Sequence, residues 1–243
     1  MNRLFSVSAL VFVVSLCHAR QEPSTTQGLI HKMYNTYKDT WYRTITFTQQ
    51  TEFFQNGVKQ REEIWYEAMD MTSGALVIKF NSMASGNGMI FRNDSLLSYA
   101  DDNLKMKSPK IHELIILGFS VYTSSPDSTL TKLKAAGFDL TFFSNDNYDS
   151  RAHYVVGDPE KAQFWIDAKT LLFTKLRRKL SNNRVSEIEF KGYQKLGNGW
   201  IETEVIFSMN GQTSMREVYN NVQAPKSLPP SFYNQTVFSK ISW

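Results

Sequence analysis

Between Thr44 and Met69 apolar and polar residues alternate along two runs that meet at Asn56-Gly57, the pattern of two half-buried strands joined by a two-residue turn. With Gln55 facing Val58 across that turn, Phe47 meets Tyr66 and Ile45 meets Ala68. One face then carries Ile45, Phe47, Phe53, Val58, Ile64, Tyr66 and Ala68, while the other is charged and threonine-rich, with Phe54, Trp65 and Met69 as apolar exceptions. Strands this long span roughly 40 Å at about 3.3 Å per residue, and a sheet built from them must curl.

Ahead of the hairpin, residues 24–41 read as an amphipathic helix. Ser24-Thr25-Thr26-Gln27 follows Pro23 as a capping-box pattern, and Ile30, Met33, Tyr34, Tyr37 and Trp41 share one stripe. Shorter strands follow at 75–80, 88–94 and 95–101, then an apolar run at 111–122 whose periodicity decides nothing. In the next stretch Ser125 is an N-cap, Pro126 a first helical residue and Gly137 a stop, so 111–137 is expected to be one or two helices inserted between strands. Strands resume at 152–158, 162–167, 171–179, 186–196 and 199–209, each bounded by turn chemistry. A two-residue turn at Asn210-Gly211 sets Glu204 against Glu217, so a longer loop is expected there. The fold class that results is mainly β with α: a large curved antiparallel sheet whose concave side is covered by helices, enclosing either a packed core or a cavity.

The first residues change the setting. Arg3 precedes the apolar run Ala9 to Leu16 and small residues follow at Cys17 and Ala19, a secretory signal peptide over 1–19, which leaves 20–243 as one exported domain. Cys17 permits a second reading, the acylated anchor of a bacterial lipoprotein, against which the bulky Leu16 argues. Cleavage after Ala19 removes the chain's one cysteine, and with it any disulfide or thiolate chemistry. The formal charge of +4, one unit lower once Arg3 leaves with the leader, is too small to point to nucleic acid.

Catalytic constellations are missing from the sequence. His31, His112 and His153 stand in separate segments without metal-ligand spacing, no phosphate loop or nucleophile elbow occurs, and the adjacent Glu62 and Glu63 point to opposite faces of a strand. The expectation is a non-enzyme with no metal and no cofactor.

"FTQ" at 47–49, the "QNG" turn, "EIWYEA" (63–68), "LVIKF" (76–80) and "GMIFRNDSLLSY" (88–99) resemble the opening of the periplasmic lipoprotein carrier LolA and its relatives, in order and spacing. "FWIDAKTLLFTKL" (164–176) and "FKGYQKLGNGWI" (190–201) are similar to two later segments of that family. The resemblance implies an open, incomplete LolA/LolB-like β-barrel with a helical lid over a hydrophobic cavity. It implies acyl chains of a lipoprotein, or another lipid, as cargo, membrane donor and acceptor proteins as partners, and the periplasm as location. On that footing Ile45, Phe47, Ile64, Tyr66, Ile78 and Phe80 are expected as cavity wall, and Leu114, Ile115, Leu117 and Phe119 as lid. The family's lid-locking arginine has Lys79 in its place, as lid lock or headgroup contact, and lysine lacks the planar fork of donors. Where the family carries proline after its aromatic turn, Glu202 and Thr203 stand. Arg177-Arg178-Lys179 reads as an exposed strand end, with a headgroup-binding rim as the alternative. The competing function is an envelope sensor or protein-binding module on the same fold.

Overall fold

A computed structural model of the chain describes residues 22–233 and 236–243, so the leader expected at 1–19 lies outside the described residues. The first helix, α1 (Thr26–Tyr37), is capped by Thr25, whose Oγ1 accepts from the Gly28 N–H at 3.1 Å, one residue later than the sequence pattern suggested. It buries Leu29, Ile30 and Met33.

Strands β1 (Thr44–Gln55), β2 (Val58–Asp70), β3 (Ala75–Phe80), β4 (Gly88–Arg92), β5 (Ser95–Ala100) and β6 (Asn103–Pro109) run as an antiparallel meander. Then come α2 (Glu113–Gly118), a single 3-10 turn (Ser120–Tyr122) and α3 (Pro126–Ala135), the last capped by Ser125 with Pro126 in its first turn. A second series follows: β7 (Phe143–Tyr148), β8 (Arg151–Val156), β9 (Ala162–Asp167), β10 (Phe173–Lys179) and β11 (Val185–Lys191). A small hairpin of β12 (Gln194–Leu196) and β13 (Gly199–Ile201) leads to β14 (Glu204–Met209) and β15 (Gln212–Gln223). The strand order is β6-β5-β4-β3-β2-β1-β15-β14-β11-β10-β9-β8-β7, so the first and last long strands pair in the middle and the sheet stays open at β6 and β7.

Both Asn-Gly turns are two-residue turns with positive φ at both positions, Asn56 and Gly57 at 51° and 76°, Asn210 and Gly211 at 51° and 78°. This corrects the longer loop expected at Asn210. It also corrects the hairpin register, because each turn is followed by a β-bulge. Gln55 faces Val58 and Phe54 faces Lys59, but Phe53 faces Arg61, leaving Gln60 over, and from there Phe47 faces Glu67 and Ile45 faces Met69. In the second hairpin Ser208 faces Thr213 and Phe207 faces Met215, leaving Ser214 over, so Glu217 lies opposite Val205 instead of Glu204. One extra residue flips everything beyond it to the other face.

The inner face therefore joins Ile45 and Phe47 to Met69, Leu76, Ile78 and Phe91, and the helices lie on it in one buried cluster. Tyr37, Trp41 and Tyr122 pack ring on ring at this centre, with Trp41 and Tyr122 stacked at 3.9 Å. The outer face of β2 to β5 has its own apolar cluster, Ala68, Val77, Ile90 and Leu97, covered by Leu228, Phe232, Phe238 and Ile241 of the C-terminal segment. Among the described residues no helix is long and apolar enough to cross a membrane.

Candidate functional site

The inner face does not pack solid. Between α2 and the sheet lies a cavity of about 250 Å³. Its roof is Leu114, Ile115 and Phe119, and its walls include Ile45, Phe47, Ile78, Met89, Phe190 and Phe207. Phe47 and Tyr219 stack across β1 and β15 at 4.4 Å, and Phe91 meets the His112 ring edge-on at 4.6 Å.

Six of the residues expected at the site thus line one space: Ile45, Phe47, Ile78, Leu114, Ile115 and Phe119. Leu117 is on the buried side of α2, in the core beside the cavity. Phe80 is on the inner face but stands at its margin, 5.0 Å from Trp65. Ile64 and Tyr66 are corrections. The bulge at Gln60 puts them on the outer face, where Ile64 is exposed, and puts Trp65, Glu67 and Met69 into the cavity wall instead. The signal for this was present in the sequence, since Trp65 and Met69 were apolar exceptions on a face otherwise polar.

Lys79 is also a correction. It lies opposite Tyr66 on the outer side, fully buried, and its ammonium donates to the carbonyls of Met83 at 2.6 Å and Ser239 at 3.0 Å. Burial draws its pKa down to about 8, with Asp102 acting the other way. It ties β3 to the Met83 loop and to the C-terminal segment, and does not reach α2. The basic residue that reaches α2 is Arg178 on β10, from the run read as an exposed strand end. Its Nε donates to Glu113 Oε1 at 3.1 Å, the first residue of α2, and its Nη2 to the carbonyl of Ala136 at 2.9 Å, the C-cap of α3. One planar guanidinium therefore ties both helices to the sheet. At the other end of α2, Gly118 lies against Phe190, where a Cβ would stand 2.7 Å from the ring.

The least expected feature is acidic. Glu67 and Glu217 line the cavity, and Glu202 is buried nearby with Oε1 unpartnered. Desolvation pushes the Glu217 carboxyl up to about 8, opposed by hydrogen bonding from Gln49 and Tyr219. Burial, reinforced by the neighbouring Glu217 and Glu202, raises Glu67 well above the ordinary carboxylate range, and burial does the same to Glu202. His112 at the roof is held down to about 4 by burial, so it is neutral at pH 7. The segment that resembles a family motif at Asp167 is architectural: its Oδ1 accepts from the Lys169 and Thr170 N–H groups at 3.0 and 2.8 Å, shaping the β9 to β10 turn.

The fold is LolA-like. The chain is similar to solved structures of a DUF1329 family protein from Desulfovibrio piger (12% identity, TM-score 0.57, 87% of this chain and 96% of that one). It is similar to a LolA superfamily protein from Nitrosomonas europaea (10% identity, TM-score 0.54, 88% and 99%). A third likeness is to an outer membrane lipoprotein-sorting protein domain from Vibrio parahaemolyticus (11% identity, TM-score 0.56, 88% and 98%). No protein-family model and no curated protein matches the sequence.

Proposed function

We propose that this chain binds the hydrocarbon part of an amphiphile in the cavity beneath α2. We further propose that, as an exported domain spanning 20–243, it carries the acyl chain of a lipid or lipoprotein through the periplasm towards an outer-membrane acceptor. The observation that carries this reading is an apolar cavity roofed by a short helix whose attachment to the sheet runs through Arg178. Lipoprotein sorting in the description of a structural neighbour is in keeping with it.

The energetics fit. Each methylene taken out of water contributes about 0.8 kcal/mol, so even the part of one chain that fits here outweighs the cost of immobilising it. The volume of about 250 Å³ is just below the roughly 300–1,000 Å³ of small-molecule sites. With α2 seated the space takes part of one chain, and lifting α2 gives more. Release then follows from the helix reseating against Phe190 once the chain has found a better solvent.

Titration of the purified chain, starting near Arg20, with a neutral fluorescent acyl probe tests the proposal. Saturable one-to-one binding is expected, weakened at least ~10-fold by Ile78→Trp or Ile115→Trp, which fill the cavity from floor and roof. Absence of binding, or binding indifferent to both substitutions, would overturn it.

A further inference from the structure

We propose that the cavity selects a hydrophobic cation, an alkyl or acyl chain bearing an ammonium group, with Glu67 and Glu217 as its counter-charges and the faces of Phe47, Trp65 and Tyr219 around it. This rests on the reading of the cavity as a ligand site and adds the charge of what the site holds.

Glu67 is 5% exposed and faces the cavity, and among the described residues no hydrogen-bond donor or cation reaches its carboxyl. The charges that act on it are Glu217 and Glu202, both acidic. No lysine or arginine is among the residues lining the cavity, and His112, the one basic side chain there, is kept neutral by its burial with Nδ1 unpartnered. A wall that is aliphatic, aromatic and thioether apart from Gln49 and His112 thus holds two carboxyls that gain nothing from one another. Leucine or glutamine at position 67 would serve a purely apolar cargo better, since a buried acid without a partner is costly in either protonation state, and of the two only Glu217 has hydrogen-bonding neighbours, Gln49 and Tyr219.

The remaining lining supplies what a desolvated cation uses. Ring faces attract an ammonium through their quadrupoles, and Phe47, Trp65 and Tyr219 sit on three adjacent strands of the same wall. Met69, Met89 and Met215 add polarizable, adaptable surface for the body of the ligand. An ammonium entering this space favours release of a proton from the carboxyl it meets and pairs with the carboxylate that forms. A fatty carboxylate finds no cation in this wall and loses its hydration without compensation, so it is disfavoured.

The test uses pyrene, an uncharged aromatic hydrocarbon, bound to the mature chain and displaced by dodecylamine, dodecanol or dodecanoate. All three are kept below micelle-forming concentration in 0.3 M salt, so that surface attraction is screened. Dodecylamine is expected to displace pyrene at a concentration at least ~10-fold lower than dodecanol, with dodecanoate the weakest. In Glu67→Gln/Glu217→Gln the amine and the alcohol should come within ~2-fold while pyrene still binds. Equal displacement by amine and alcohol in the unaltered chain, or an amine preference that survives in the double variant, would overturn the charge assignment and leave the cavity standing. Failure of pyrene and all three chains to bind would overturn the cavity itself, and this inference with it.

Discussion

Replacing Glu217 by glutamine should stabilise the protein at alkaline pH and flatten its pH profile. The carboxyl is 8% exposed, and desolvation lifts it from an ordinary 4.5 to about 8. Its folded-state pKa therefore lies above its unfolded one. Between pH 4.5 and 8 the folded chain keeps a proton that the unfolded chain releases, so stability falls as pH rises across that window and stays low above it. At about 1.4 kcal/mol per pH unit, the whole gap is worth about 5 kcal/mol, of which about 4 kcal/mol falls between pH 5 and pH 8.5. Glutamine keeps the length and the contacts with Gln49 and Tyr219 but does not titrate. Urea unfolding of both proteins at pH 5, 6, 7 and 8.5 should show the two curves diverging by that amount, with equal m-values. Parallel pH profiles would refute the burial argument, because they would mean that Glu217 sits in water in the folded chain.

Three further outcomes are expected. Arg178→Met removes the tie from β10 to Glu113 and Ala136, and should cost roughly 1–3 kcal/mol while speeding both entry and escape of a fluorescent acyl probe in stopped flow. Gly118→Ala drives a methyl into the Phe190 ring and should cost roughly 1–3 kcal/mol in urea unfolding, with a lowered probe affinity as α2 is displaced. Lys79→Met leaves the Met83 and Ser239 carbonyls without their donor, so limited trypsin digestion should cut at Lys226 and Lys240 sooner while probe affinity stays within ~2-fold.

The turns and caps were legible because single residues decide them. Asn56-Gly57 and Gly137 readily take the positive φ that most residues avoid, Pro126 fixes its own φ, and each stands where the sequence placed it. The same local logic falls short at β6 and β7. Their hairpins turn on Asp101-Asp102 and Asp149-Ser150, which adopt positive φ without the glycine that announces it, and their strands are edge strands with little apolar alternation. The bulges at Gln60 and Ser214 escaped for a different reason. An extra residue is set by the coiling of the whole sheet, and its trace in the sequence is a phase slip in the alternation, visible at Trp65 and Met69. That slip moved Ile64 and Tyr66 out of the site and Glu67 into it.

Arg178 and Lys79 exchanged roles for a related reason. Both are basic residues in strands, and which face they occupy decides whether they hold α2 and α3 or the C-terminal segment. The apolar part of the site was readable from hydrophobicity. Its acidic part was not, because a glutamate among charged neighbours looks solvated until the register is known.

The most direct test of the account is mass spectrometry of organic extracts from the natively purified mature chain, against a stringently delipidated sample of the same preparation. Near-stoichiometric acyl- or alkyl-bearing species are expected in the first and none in the second. The delipidated protein should then take up a neutral acyl probe, which the extracted species displace. A protein that carries no lipid as purified and refuses the probe after delipidation would contradict it.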